Sequence, residues 1–135
     1  MAEVEYLHIC DYAFAGEGGK ACIIGVFEAI SAPAFPCTHP MMYVAAKFQG
    51  TAHEVVRARL EISRPNGEPL VRMEPELVMS AEGTGNLNVQ MVGIAFPEPG
   101  RYTVRILSDG RTLVSQPLRL TRLQPPAGQP PLRAH

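Results

Sequence analysis

Thirteen prolines and twelve glycines fall between the apolar runs of this 135-residue chain, and that punctuation constrains its fold more than any other feature. Proline lacks the amide hydrogen that a helix interior or a β-ladder needs, and glycine reverses the chain at little steric cost. Each apolar run therefore ends at strand length, and several runs alternate apolar with polar residues at the period of a half-buried strand. With 46% apolar residues there is material for one core, which predicts a single domain over residues 1–122.

The first run, Val4 to Tyr12, sets Tyr6, His8, Cys10 and Tyr12 on one strand face and Glu5, Leu7, Ile9 and Asp11 on the other. Gly16-Glu17-Gly18-Gly19 reads as a flexible turn. Lys20 to Ile30 returns as a strand apolar on both faces, the pattern of a central strand. Residues 31–40 hold Pro33, Pro36 and Pro40, which predicts an extended crossover between sheets, followed by a third strand over Met41 to Phe48. Helix and strand compete after Gly50. Thr51-Ala52-His53-Glu54 has capping-box spacing, yet Val56, Ala58, Leu60 and Ile62 alternate with Arg57, Arg59, Glu61 and Ser63 only in an extended chain. The longer pattern favours a strand over 55–63.

Asn66-Gly67, between Pro65 and Glu68, predicts a two-residue type I′ hairpin closing that strand onto residues 69–73. Within residues 74–85, interrupted by Pro75, Glu76 to Met79 reads either as one helical turn or as a fragment of edge strand, and Asn86 to Phe96 reads as a long strand. Asp109-Gly110 is a second type I′ signal, which would set Ser108 opposite Arg111 and Ile106 opposite Leu113. Pro117 marks the last strand, Thr112 to Leu120, as an edge, or takes it out of the ladder near that point. The Pro-rich tail over 123–135 has too little apolar surface to pack and favours polyproline II or disorder.

About seven or eight antiparallel strands without an amphipathic helix can bury one face each in a two-sheet sandwich or a closed barrel. Phe96, Gly100, Tyr102, Val104 and Ile106 favour the sandwich. Their spacing resembles the penultimate strand of immunoglobulin-like domains, where a tyrosine hydroxyl ties the sheet corner to the backbone. The cysteine and tryptophan of that pattern are missing, since position 104 is Val and the chain has no Trp. The chain to about residue 122 also resembles an uncharacterised domain family of small bacterial proteins. The matching residues are Val4-Glu5-Tyr6, Cys10-Asp11-Tyr12-Ala13, Gly19-Lys20, Ile23 to Phe27, Phe35-Pro36, Pro40, Pro65-Asn66-Gly67, Phe96 and Pro99-Gly100-Arg101-Tyr102. The resemblance implies an immunoglobulin-like β-sandwich and carries no activity with it.

Twelve basic and thirteen acidic residues are scattered along the chain, which predicts no Lys/Arg-rich stripe to neutralise a phosphate backbone or an anionic membrane, and neither nucleic acid nor membrane as a partner. The acidic start at Glu3 and Glu5 does not suit an export signal, and no apolar run approaches the ~20 residues that cross a bilayer. Cys10, Cys22 and Cys37 cannot all pair within one chain and suit reduced thiols in a cytoplasm, although a Cys10–Cys22 bridge is open to an oxidising compartment.

His8 and Cys10 share a strand face, and Cys37 and His39 brought alongside them would complete a Cys₂His₂ zinc set. The plainer reading makes the cysteines small core hydrophobes and His8 a partly buried polar residue. Cys37 and His39 are also the only local thiol–imidazole pair for a thiol-dependent enzyme, but as alternate extended residues their Cα atoms lie about 6–7 Å apart. Hydrolase elbow, P-loop and dinucleotide fingerprint are all missing, and no cofactor is indicated. Arg57, Arg59 and Glu61 share one face, either as a solvated surface or as a polar patch for a protein partner. The sequence thus favours a non-catalytic protein-interaction or assembly module, binding another protein or itself through the edge at Thr112 to Leu120. The metal or thiol enzyme is the alternative.

Overall fold

The computed structural model describes residues 2–123. Its elements are β1 (Glu3–Ala15), β2 (Ala21–Val26), β3 (Ala29–Ala32), β4 (Cys37–Gln49), β5 (Val55–Ser63), β6 (Pro69–Met73), β7 (Glu76–Val78), β8 (Thr84–Phe96), β9 (Gly100–Ser108) and β10 (Arg111–Arg122). One 3-10 turn, Glu17–Gly19, occupies the glycine-rich loop. The strands form two sheets, ordered β2-β1-β4-β8 and β3-β10-β9-β5-β6, with β7 also paired to β5. All pairs are antiparallel except β3 with β10. Among the described residues no helix is long and apolar enough to cross a membrane.

One core lies between the sheets. Leu7 and Ile9 of β1, Met42, Val44 and Phe48 of β4, and Met91 of β8 meet Leu60 and Ile62 of β5, Val104 and Ile106 of β9, and Leu118 and Leu120 of β10. These are alternate residues of each strand, so the period-2 pattern carries directly into packing. Each such side chain withdrawn from water contributes about 1.5–3 kcal/mol.

The count of ten strands exceeds the seven or eight expected, for two reasons. Lys20 to Ile30 is not one central strand: it breaks at Phe27-Glu28 and passes from the first sheet to the second, leaving β2 and β3 as edge strands of different layers. Residues 76–78 settle as a fragment of edge strand beside Val55–Arg57. At Thr51–Glu54 one of the two capping-box contacts forms, without a helix. Glu54 Oε1 accepts from the Thr51 amide at 2.9 Å, but His53 sits at φ 61°, a left-handed conformation that stops a right-handed helix from propagating.

Both hairpins close where expected, but their details differ from expectation. At Asp109 and Gly110, φ values of 52° and 75° fit the type I′ turn. Ser108 does face Arg111, yet an irregularity between Thr112 and Val114 puts Val114 rather than Leu113 opposite Ile106. The first loop is not type I′, since only Gly67 has positive φ, at 89°. The Gly67 amide donates to Arg64 O at 2.8 Å and the Arg64 amide to Glu68 O at 2.7 Å, a type I turn followed by a left-handed glycine. Pro65 is the reason: its fixed φ suits the second position of a type I turn.

The last strand is also not a simple edge. β3 pairs in parallel with Arg119–Arg122, so only the earlier part of β10 is free on that side. The Arg119 amide donates across this boundary to Glu28 O at 3.0 Å. Pro117, two residues earlier, aims its missing donor the same way, where no strand lies. The Pro-rich tail expected beyond residue 122 falls, from Gln124 on, outside the described residues.

Candidate interaction surfaces

Each sheet has an outer face, and the two differ in chemistry. On the first sheet, the register pairs Cys10 with Val26 and Tyr12 with Ile24 across β1 and β2, and Phe14 with Cys22. It pairs His8 with Ala45 and Cys10 with Tyr43 across β1 and β4, then Tyr43 with Gln90 and Met41 with Val92 across β4 and β8. Leu7, Ile9, Val44 and Val89 take the inner positions, so these partners share the outside. Tyr12, Phe14, Ile24, Val26 and Val92 are exposed there, Val92 by 67%. Tyr12 stacks on Tyr43 at 5.7 Å and Tyr6 on His8 at 5.0 Å. Beneath these rings Cys10, Ala13 and Ala45 form a small buried cluster with Ile23 and Tyr43.

This apolar face ends abruptly along β8. Gly93 at φ 65° falls opposite Pro40, and beyond it Ile94 and Phe96 turn into the core. A left-handed glycine and a proline that donates nothing together let the strand pair roll over at that point.

The second sheet presents charge. Val56, Ala58, Leu60 and Ile62 point inward, so Arg57, Arg59 and Glu61 lie outside as expected. The register adds Arg72, Arg101, Arg105 and Arg119 to the same face. The expectation of scattered basic residues is corrected here, because arginines far apart in the chain are gathered by pairing. Four of them are partly neutralised: Arg105 Nη2 lies 2.8 Å from Glu61 Oε1, Arg72 4.0 Å from Glu61, Arg59 3.5 Å from Glu74 and Arg57 3.3 Å from Glu76. A cleft of about 490 Å³ opens beside Arg57, Arg59, Glu74, Glu76, Leu107 and Asp109.

The His/Cys candidates do not converge. His8 and Cys10 sit on the first sheet's outer face, whereas Cys37 pairs with Phe96 and His39 with Ile94 at the far end of β4. Six residues of strand separate Tyr43, the partner of Cys10, from Cys37, about 20 Å. Among the described residues no three His, Cys, Asp or Glu side chains are grouped to hold a metal. His39 instead packs against the Phe27 ring at 5.7 Å. All three cysteines are free, so the Cys10–Cys22 bridge is not formed. Burial pushes the Cys10 thiol up, with the Asp11 charge adding to it, and burial pushes Cys37 up as well. Both shifts oppose the thiolate that nucleophilic chemistry needs.

Tyr102 performs the corner role its spacing implied. Its hydroxyl donates to Glu98 O at 2.7 Å and accepts from the Glu98 amide at 3.2 Å, while its buried ring meets Phe96 edge-on at 5.2 Å. Gly100 beside it, at φ 141°, leaves room for Pro65, whose Cγ a Cβ would meet at 2.7 Å. The residues that sequence reasoning missed are Tyr12, Phe14, Ile24, Val26 and Val92. Their signal was present as an aromatic stripe along alternate positions of β1 and as the two-faced apolar run of β2.

Among curated proteins, none matches this sequence. Solved structures share the fold at low identity. The alkylpurine DNA glycosylase AlkC from Pseudomonas fluorescens, bound to DNA containing an abasic site analog, aligns at 12% identity and TM-score 0.53 over 89% of this chain and 30% of its own. The β-D-glucoside glucohydrolase of Trichoderma reesei aligns at 12% and 0.56 over 90% of this chain and 19% of its own. An immunoglobulin-like protein from Pseudomonas aeruginosa aligns at 11% and 0.47 over 89% and 96%. The chain thus spans less than a third of the first two proteins. A family model covers residues 5–121, and on that match the chain belongs to the family of unknown function DUF6941.

Proposed function

We propose that this chain is a non-catalytic protein-interaction or assembly module, an immunoglobulin-like β-sandwich that docks through the outer face of its first sheet. One observation carries the reading: Tyr12, Phe14, Ile24, Val26 and Val92 are exposed together on one sheet face, where side chains facing only water gain nothing by being apolar. The tyrosine corner and the single core between two sheets support the immunoglobulin-like part. The recurrence of the fold as a fraction of larger enzymes supports a modular use. Three free cysteines fit a cytoplasmic setting.

The test is affinity capture from the native host together with light scattering of the purified chain, comparing wild type with a Tyr12→Ser, Val92→Ser double substitution. A complex, with itself or with another protein, that the doubly substituted chain loses is the expected result. A wild-type chain that stays monomeric and captures the same proteins as the doubly substituted one overturns the reading.

A further inference from the structure

We infer that the partner at the Val92 margin of this face is a second copy of the chain, with the free edge of β8 pairing antiparallel to its counterpart about a two-fold axis at Val89. The inference rests on the proposed docking role and adds the partner, the register and the contacts.

β8 is an edge of the first sheet and pairs only with β4, without a register shift over residues 84–92. Bonds at its start fix which way its backbone groups aim. The Gly50 amide donates to Gly83 O at 2.7 Å, so this pair, and with it Phe48 with Gly85, Ala46 with Leu87, Val44 with Val89 and Met42 with Met91, is hydrogen-bonded between β4 and β8. Thr84 faces the other way: its carbonyl accepts from the Ser80 amide at 2.8 Å and its amide donates to Ser80 Oγ at 3.3 Å. No residue over 84–92 has a positive φ, and burial alternates strictly from Asn86 to Val92, so the phase holds along the strand. Asn86, Asn88, Gln90 and Val92 therefore aim their amides and carbonyls away from β4, where no strand pairs with them among the described residues. The 80–84 turn bounds this free stretch at one end and left-handed Gly93 at the other.

These bounds select one register. With the axis at Val89, Asn86 meets the partner's Val92 and Asn88 meets the partner's Gln90, and each pair exchanges two main-chain hydrogen bonds. An axis at Asn88 would drive the partner's Val92 onto Thr84, whose groups are taken by Ser80, and an axis at Gln90 would leave Asn86 facing Ile94 beyond the roll at Gly93. Side chains fit the same axis. Gln90 Nε2 lies 3.2 Å from Met41 Sδ, which leaves the Gln90 carbonyl oxygen to accept from the carboxamide of the partner's Asn88. On the inner row Leu87, Val89 and Met91 are already buried in the protein's own core, so this edge offers a foreign strand neither charge nor side-chain pockets to be recognised by. The other edges are guarded. β2 breaks at left-handed Gly25, β3 and β7 are only Ala29–Ala32 and Glu76–Val78, β6 carries Pro69 and Arg72, and the open part of β10 carries Arg111 and Pro117. Residues 86–92 have no charge, proline or bulge. The pairing also puts the exposed Val92 of both copies on one shared outer face, so the apolar docking face continues across the axis.

Sedimentation equilibrium on the full chain tests this. Wild type should be dimeric. Asn88→Pro removes an amide that bonds only to the partner, so it should raise the dimer dissociation constant about tenfold or more while far-ultraviolet circular dichroism stays that of the wild type. Asn88→Lys, Gln90→Lys sets like charges against each other across the axis and should weaken the dimer by a similar factor. Asn88→Lys, Gln90→Glu sets opposite charges there and should hold the dissociation constant within about threefold of wild type. A chain with Asn88→Cys mixed with a chain carrying Gln90→Cys should form an inter-subunit disulfide between these positions under mild oxidation, since residues of a bonded antiparallel pair lie about 5.5 Å apart at Cα. Peptide mapping separates that bridge from any to the native thiols. A monomer at all concentrations overturns the inference. So does a dimer indifferent to Asn88→Pro and to Asn88→Lys, Gln90→Lys that fails to bridge positions 88 and 90. If either occurs while the Tyr12→Ser, Val92→Ser chain still loses a complex with another protein, the docking role stands and only the second copy falls.

Discussion

The two outer faces are built by the same alternation and reach opposite solutions. On the second sheet, Arg57, Arg59, Glu61, Arg72 and Arg105 alternate with core residues and find ion-pair partners on neighbouring strands or, for Arg59, on the β6–β7 link. On the first, positions of the same parity are Tyr6, His8, Cys10, Tyr12 and Phe14, facing Tyr43, Ala45, Ile24 and Val26. A charged face needs nothing beyond water, whereas an apolar face at an open edge loses free energy until something covers it. The difference places the proposed docking face on one side of the molecule and an ion-paired, water-facing surface on the other.

The comparison requires that the inner faces form a single core on which both outer faces are mounted. Leu60→Ala, at a fully buried position between the sheets, should cost about 2–5 kcal/mol in urea denaturation. A loss below ~1 kcal/mol would mean the layers do not share their packing. Tyr102→Phe strips two bonds from the Glu98 backbone and should cost about 1–3 kcal/mol.

Burial raises the Tyr102 pKa above its ordinary value near 10.0. The folded state therefore holds the phenol proton more tightly than the unfolded chain. Its contribution is full below pH ~10 and is lost as pH rises through the folded pKa. Alkaline titration of stability should show a steeper decline in wild type than in the Phe variant.

Smaller effects separate the faces themselves. Glu61→Gln keeps an acceptor oxygen but removes the charge facing Arg105 and Arg72, and should cost about 1 kcal/mol or less, shrinking further in high salt. Val92→Ser should change stability by no more than about 0.5 kcal/mol. Its measurable effect should be weaker self-association or capture, one that added salt does not mimic. If Glu61→Gln rather than Val92→Ser abolished association, the assignment of the two faces would be reversed.

Much of this is legible in the residues, and the departures have physical causes. The β5 alternation from Val56 to Ile62 and the corner at Tyr102 depend on local spacing and appear in the fold as that spacing implies. The Asn66-Gly67 turn departs from expectation because Pro65 constrains φ more strongly than Asn-Gly favours a mirror-image turn. β2 departs from it because a strand apolar on both sides is central when covered and adhesive when bare, and sequence period cannot tell the two apart. The arginine face is invisible in the linear order because Arg101 and Arg119 become neighbours only through the β9–β10 register. The Cys and His candidates fail for the same reason in reverse: closeness along the chain at 8–10 and 37–39 does not become closeness in space.

The crossing at Phe27-Glu28 has a mechanical corollary. Because two residues stitch the margin of one layer to the margin of the other, that flank is a seam, and the layers cannot be peeled apart there without tearing the β3–β10 ladder. A strand grafted onto β2 would inherit that stiffness, so tension arriving from an attached molecule would spread into both layers instead of unzipping a lone hairpin.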